Sequence, residues 1–289
     1  MRKIVQILSV CVLFTFTLSV FAQTSGPAHG ALFIHGGGGL SIKEFIQLSK
    51  RISGKEAPRF LVISTAQGKN RLRDFTKSRK MVAKINRLVD QKVATELFTL
   101  DREFADSDEL VAKIDAVDAI FMGGGNQCYL TDTFLGTRGL EAMHRLLERG
   151  GVIGGSSAGA QVQSSFMTRG DYKKRQILGD KKHQEGFAFL TNAALDVHVG
   201  ERKRETDLLQ VFAAKKRKLQ NKDLETQNLL GIGIDQSTAI TVIGDTLTVS
   251  GSGKVYIFNP EQWDTPKSAF YINLSDGQSY DLKQRTLVP

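Results

Sequence analysis

Short apolar runs alternate with longer stretches of helical spacing through the first half of the chain. This alternation constrains the fold more than any other feature. "ALFIH" (31–35) runs into four glycines, and "SIKEFIQLSKRI" follows with apolar residues every three or four positions. "RFLVISTA" precedes the amphipathic "RDFTKSRKMVAKINRLVD", and "ATELFTL" precedes "SDELVAKID". "AVDAIFMGGG" precedes "GLEAMHRLLERG", whose helix Gly150 and Gly151 should stop, and "GVIGG" leads into "AGAQVQSSF", read as the start of a helix. Strands covered on both faces are apolar throughout, and parallel neighbours need a crossover between them. The pattern predicts an α/β domain with a doubly wound, mostly parallel sheet. Ser41, with Glu44 three residues on, is expected to cap the first helix.

The last third changes character. "LLGIGID", "TAITVIG", "TLTVSGS", "KVYIFN" and "AFYINLSDGQSYDLKQ" are closely spaced and read as antiparallel strands that extend the sheet or its edge. Trp263 and Tyr271 lie there and are read as packing residues.

Residues 1–22 carry Arg2 and Lys3, an uncharged apolar run and small residues at Val20 and Ala22, the pattern of a secretory signal cleaved after Ala22. Residues 23–289 then form a single domain, exported to the periplasm or the extracellular space, with no membrane anchor after cleavage. Lys and Arg number 39 against 30 Asp and Glu, a net charge of +9. The basic clusters lack the interleaved aromatics that single-stranded nucleic acids stack on, so nucleic acid is not expected as a partner. A basic surface also suits an acidic substrate. Cys11 leaves with the signal and Cys128 stands alone, so no disulfide forms within one mature chain. No Cys, His and carboxylate cluster has ligand spacing, and neither metal nor cofactor is expected.

The stretch "GGVIGGSSAGAQVQ" (150–163) has almost no side chains around one serine. Gly155-Ser156-Ser157-Ala158-Gly159 fits G-x-S-x-G between a strand and a helix, a turn that pushes a nucleophile into the cleft. The glycines avoid clashes with neighbouring strand and helix. The Ala158 N–H, at a helix start, would face a developing oxyanion. Ser157 is the candidate nucleophile, with Ser156 pointing the other way.

A serine nucleophile needs a base. His29 lies near the mature terminus, His144 falls in mid-helix and His183 in a Lys-rich loop. His198 ends a short strand that enters the charged stretch "GERKR", read as a helix, at the kind of strand end where parallel sheets gather active sites. His198 is the candidate base. His35 in "FIHGGGG" is similar to the oxyanion loop of α/β-hydrolase esterases, but those place their histidine near the C-terminus, where this chain has none.

"FMGGGNQ" (121–127), "GGSSAGA" (154–160), "DVHVGERKR" (196–204) and "GIGIDQSTA" (231–239) occur in that order. Together they resemble motifs of the cyanophycinases and their relatives, the dipeptidase E group of serine exopeptidases. The likeness runs from about Gly30 to about Asn259. It implies a three-layer, flavodoxin-like fold related to class I glutamine amidotransferases, with serine replacing cysteine at the elbow. It implies hydrolysis of aspartyl or β-aspartyl bonds, in an acidic peptide or in a cyanophycin-like polymer cut to β-aspartyl-arginine. Ser157 is then the nucleophile and His198 the base. Gly124, Gly125 and Ala158 supply oxyanion N–H groups, and Gln127, Asp196, Arg202 and Arg204 meet the substrate. A guanidinium grips a carboxylate through two parallel hydrogen bonds, which suits the arginines independently of the resemblance. A homodimer is left open.

Three positions depart from the family pattern. Gln236 stands where the acid that orients the histidine is usual, with Asp235 or Glu201 as substitutes. Val197 replaces a glutamine, and Asp207 stands in place of a further arginine. Gln236 and Asp207 leave a second class of function open, a catalytically weak or inactive relative that binds acidic peptides or polymer.

Overall fold

The computed structural model describes residues 25–39, 42–173, 176–260 and 270–289, and of residues 69–76 it describes the backbone only. Residues 1–22, read as a signal, and Ser41 and Trp263 lie outside the described residues. In chain order the strands are β1 (Ala31–His35), β2 (Phe60–Ile63), β3 (Ala94–Leu97), β4 (Ala119–Met122), β5 (Val152–Ser156), β6 (Ser164–Met167) and β7 (Leu190–Val197). They continue as β8 (Leu230–Ile234), β9 (Thr238–Ile243), β10 (Thr246–Gly251), β11 (Val255–Phe258), β12 (Ile272–Leu274), β13 (Ser279–Asp281) and β14 (Thr286–Val288). The α-helices are α1 (Ile42–Ser53), α2 (Arg71–Val89), α3 (Arg102–Ala105), α4 (Asp108–Asp115), α5 (Gln127–Phe134), α6 (Arg138–Glu148), α7 (Ala158–Gln161) and α8 (Leu209–Phe212).

Among the described residues nine strands form one sheet in the order β14-β13-β10-β9-β1-β5-β4-β2-β3. The five from β1 to β3 are parallel, as the alternating pattern requires. Strand alternation splits each apolar run between two faces. Ala31 and Phe33 join Phe45, Phe60, Phe121 and Ile85 under α1 and α2. Leu32 and Ile34 join Leu146, Leu130 and Ile153 on the opposite face. Helix α4 is capped by the Ser107 side chain, which accepts from the Leu110 N–H, and α6 by Thr137.

The C-terminal strands divide in a way that spacing alone does not foretell. β9, β10, β13 and β14 extend the parallel sheet by antiparallel pairing. β8, β11 and β12 instead join β6 and β7 in a second sheet, ordered β12-β11-β8-β7-β6. Its inner face, with Leu195, Ile232 and Ile234, shares the core of the first sheet, and its outer face carries Phe166 and Phe258, against which Phe212 of α8 packs.

Two other local expectations are corrected. After the elbow the chain makes a single helical turn, α7, and "SSFM" returns as β6, because Ser164 and Met167 pair with β7. After His198 there is a short 3-10 turn, Gly200–Arg202, in place of a helix. Tyr271 packs edge-on against Tyr256 at 5.3 Å, as expected of a packing residue.

Candidate active site

Two of the places where the chain passes between the two sheets come together here. It leaves the first sheet at Ser156, turns through Ser157 and α7, and enters the second at Ser164. It returns through Asp235, Gln236 and Ser237, between β8 and β9. The candidate site lies at these crossings.

Ser157 has φ 56° and ψ −113°, a region that non-glycine residues seldom occupy. Its N–H donates to the His35 carbonyl at 3.1 Å, which fixes the turn to the end of β1. The elbow glycines are required by close approach. A Cβ on Gly155 would lie 2.0 Å from the Gly159 carbonyl oxygen, and one on Gly159 would lie 2.2 Å from that of Met122. The Ser157 hydroxyl projects to the imidazole of His198, with Oγ to Nε2 at 2.8 Å. His198 is also left-handed, with φ 57°. Its N–H donates to Gly36 O at 3.2 Å, and its ring lies on Gly37, where a Cβ would sit 2.1 Å from Cε1. The glycine run after β1 is therefore a seat for the imidazole.

Ser156 turns away from this pair, as the elbow geometry predicts. Its hydroxyl meets His35 Nδ1 at 3.2 Å, and that nitrogen also accepts from the Gly37 N–H at 3.0 Å. Two donors on Nδ1 keep the ring neutral. Burial pushes the His35 pKa down to about 4, with the Glu44 carboxylate opposing. His35 thus holds together the elbow and the glycine seat, a role the sequence reading did not assign. It left two signals, a histidine at a strand end and a glycine run after it.

Gly124 lies against Ser157: a Cβ there would be 3.3 Å from Ser157 Cβ. Gly125 follows, packed under the Ala66 carbonyl, and Asn126 N–H donates to that carbonyl at 2.8 Å. No described residue accepts from the N–H groups of Gly124, Gly125 or Ala158. Because α7 is one turn long, its dipole adds little, and these N–H groups would carry any oxyanion stabilisation.

The residues expected to meet substrate divide. Gln127 is buried and its Nε2 donates to the carbonyls of Thr168 and Arg169, at 3.0 and 2.9 Å. Asp196 is fully buried: Arg169 donates from Nε to Oδ1 at 2.8 Å and from Nη2 to Oδ2 at 2.6 Å, and Val197 N–H adds a third bond. The Gln127 amide nitrogen and the Asp196 carboxylate are thus bonded within the protein in this structure. Arg169 was not singled out in the sequence, where nothing marks it as the partner of carboxylates 27 and 38 positions away. It also reaches Asp207 at 2.6 Å, so Asp207 partners this arginine. Arg202 is exposed. Arg204 is partly buried and donates to the Val197 carbonyl at 3.2 Å. Burial lowers its pKa to about 10, with Asp196 opposing, and it stays charged near neutrality.

Gln236, at the expected acid position, packs its Oε1 over Gly38, one residue along from the seat of the imidazole. Its N–H donates to the Glu201 carboxylate at 3.0 Å. Asp235, considered as a substitute acid, is occupied by the N–H groups of Gly200 at 2.7 Å and Lys254 at 2.9 Å. The other histidines sit elsewhere: His29 is exposed, His144 packs on Phe189, and buried His183 meets Asp132 at 2.9 Å. Cys128 is buried and its thiol is pushed up to about 12 by burial and nearby carboxylates. Among the described residues no three His, Cys, Asp or Glu come together to hold a metal ion, and no helix is long and apolar enough to cross a membrane.

A strained serine at a strand-to-helix turn, an imidazole within hydrogen-bond reach and inward glycine amides define a nucleophile–base site of the hydrolase type. The chain belongs to Peptidase family S51, whose model matches residues 32–250. A cyanophycinase of Synechococcus elongatus is 29% identical over 199 residues, covering 63% of this chain and 58% of its own length. The match thus spans little more than half of that relative. A cyanophycinase of Nostoc is 26% identical over 226 residues, covering 70% of this chain and 71% of its own. The fold is similar to that of a peptidase from an acI-B1 Actinobacterium, with a TM-score of 0.62 at 24% identity, over 89% of this chain and 98% of that one.

Proposed function

We propose that the protein is an exported serine peptidase that hydrolyses aspartyl or β-aspartyl peptide bonds, in acidic peptides or in a cyanophycin-like polymer. The 2.8 Å contact between Ser157 Oγ and His198 Nε2 carries this reading. In the proposed mechanism Ser157 Oγ attacks the scissile carbonyl while its proton passes to His198 Nε2. The oxyanion forms against the N–H groups of Gly124, Gly125 and Ala158. The proton then goes to the leaving amine, and water activated by the same imidazole releases the acyl group. Arg202 and Arg204 hold a substrate carboxylate.

Turnover of β-aspartyl dipeptides, α-aspartyl dipeptides and cyanophycin tests the reading. Ser157→Ala and His198→Ala should each lower kcat/KM by roughly 10³-fold or more without unfolding the protein. Full activity in His198→Ala would remove that residue from the mechanism. Gln236 motivates a second reading, because a neutral amide stabilises an imidazolium less than a carboxylate does. Binding of these substrates with no turnover of any would make the protein a binder of acidic peptides. Export rests on residues 1–22, and a mature protein beginning at Gln23 in an extracytoplasmic fraction is the expected result.

A further inference from the structure

Next to the glycine loop, on the α1–α2 side of the first sheet, lies a cavity of about 320 Å³ at the ends of β2, β4 and β5. That volume falls within the range of small-ligand pockets. Val62, Phe121 and Met81 form apolar walls, while Gly124 and Ser156 form the side next to the nucleophile. Gly124 is the residue packed on Ser157, so the cavity adjoins the reacting centre.

Two buried polar atoms on residues that line this cavity meet no described protein group, Ser78 Oγ and Gln67 Oε1. Ser78 is only 5% exposed. Buried polar atoms are almost always hydrogen-bonded, so two such atoms around one cavity point to a ligand that satisfies them. Their chemistry restricts it. A carbonyl oxygen such as Gln67 Oε1 needs a donor, whereas a serine hydroxyl can donate or accept. A carboxylate offers Gln67 no hydrogen. A guanidinium or ammonium would share the cavity with Lys77, a like charge. A neutral carboxamide fits both atoms, its N–H to Gln67 and its C=O taking the Ser78 hydroxyl.

We propose that this cavity is a substrate subsite for a carboxamide side chain, asparaginyl or glutaminyl, next to the scissile bond. The inference rests on Ser157 being the nucleophile. The test measures kcat/KM for Asp-Gln, Asp-Asn, Asp-Arg and Asp-Leu dipeptides in both linkages, in the unaltered protein, Ser78→Ala and Gln67→Leu. The amide peptides should be preferred over Asp-Leu and Asp-Arg by roughly tenfold, and each variant should erase most of that ratio. No preference, or one that survives both changes, overturns the subsite. If the unaltered protein cleaves no aspartyl peptide, the proposed function fails, and calorimetry then decides the subsite separately. N-acetylglutaminamide binding to the Ser157→Ala protein, weakened further by Ser78→Ala, supports it; no binding overturns it.

Discussion

Ser157 and His198 are both held in left-handed backbone conformations, each costing on the order of 1–3 kcal/mol. Neighbouring bonds maintain that strain, and His35 contributes two of them through its carbonyl and its Nδ1. The low pKa of His35 has a consequence for stability. Between pH 6.5 and about 4 the unfolded chain takes up a proton on this side chain that the folded protein excludes. Its contribution is therefore fully present above pH 6.5 and is lost as pH falls through that window, about 3 kcal/mol in total. Urea midpoints should drop between pH 7 and pH 4.5, and His35→Gln, which retains an acceptor, should show a smaller drop. An equal drop in both proteins would mean that other groups carry the acid sensitivity. At this scale the sequence pointed to the pairing of Ser157 with His198, because a serine at a tight turn and a histidine at a strand end have local signatures. Arg169 was hidden, since its bond to Asp196 joins two positions that only the pairing of β6 with β7 brings close.

At the scale of elements, the glycine run 36–39 decides where the His198 imidazole stands. Gly36 accepts from the His198 N–H, Gly37 carries the imidazole and also accepts from Ser237 N–H, and Gly38 lies under Gln236. Gly37→Ala adds a methyl group where the ring now sits, at a backbone φ of 103°. Activity should fall at least about a hundredfold, since small displacements of a catalytic group have such effects. Gly244→Ala is the control: it also has positive φ, 56°, but a Cβ there meets nothing within 4 Å. It should cost about 1 kcal/mol in stability and leave turnover intact. Equal activities in the two variants would mean that Gly37 does not position the imidazole. The sequence marked this run as a loop after a strand but not as a seat, because its partners come from Asp196–Arg204 and Asp235–Ser237.

For the whole molecule, the parallel half of the first sheet was readable from periodicity, since each strand is followed by its crossover. The second sheet was not. Its strands have the same apolar character as those that extend the first sheet, and hydrophobic pattern alone does not say which edge a strand will join. β8 and β9 are separated by three residues yet belong to different sheets. The crossing between them was read as part of a motif, and its turn from one layer to the other came only with the structure.

The proposed nucleophile and base are thus mounted on separate layers, Ser157 at the end of β5 and His198 at the end of β7, and the glycine seat clasps one to the other. Catalysis then reports on the seating of the layers as well as on the integrity of each. In a urea titration, turnover should vanish at lower concentration than far-ultraviolet ellipticity, because slippage of one layer by a single ångström parts hydroxyl from imidazole before either sheet melts. Coincident curves would mean that the halves come apart only when the whole protein does.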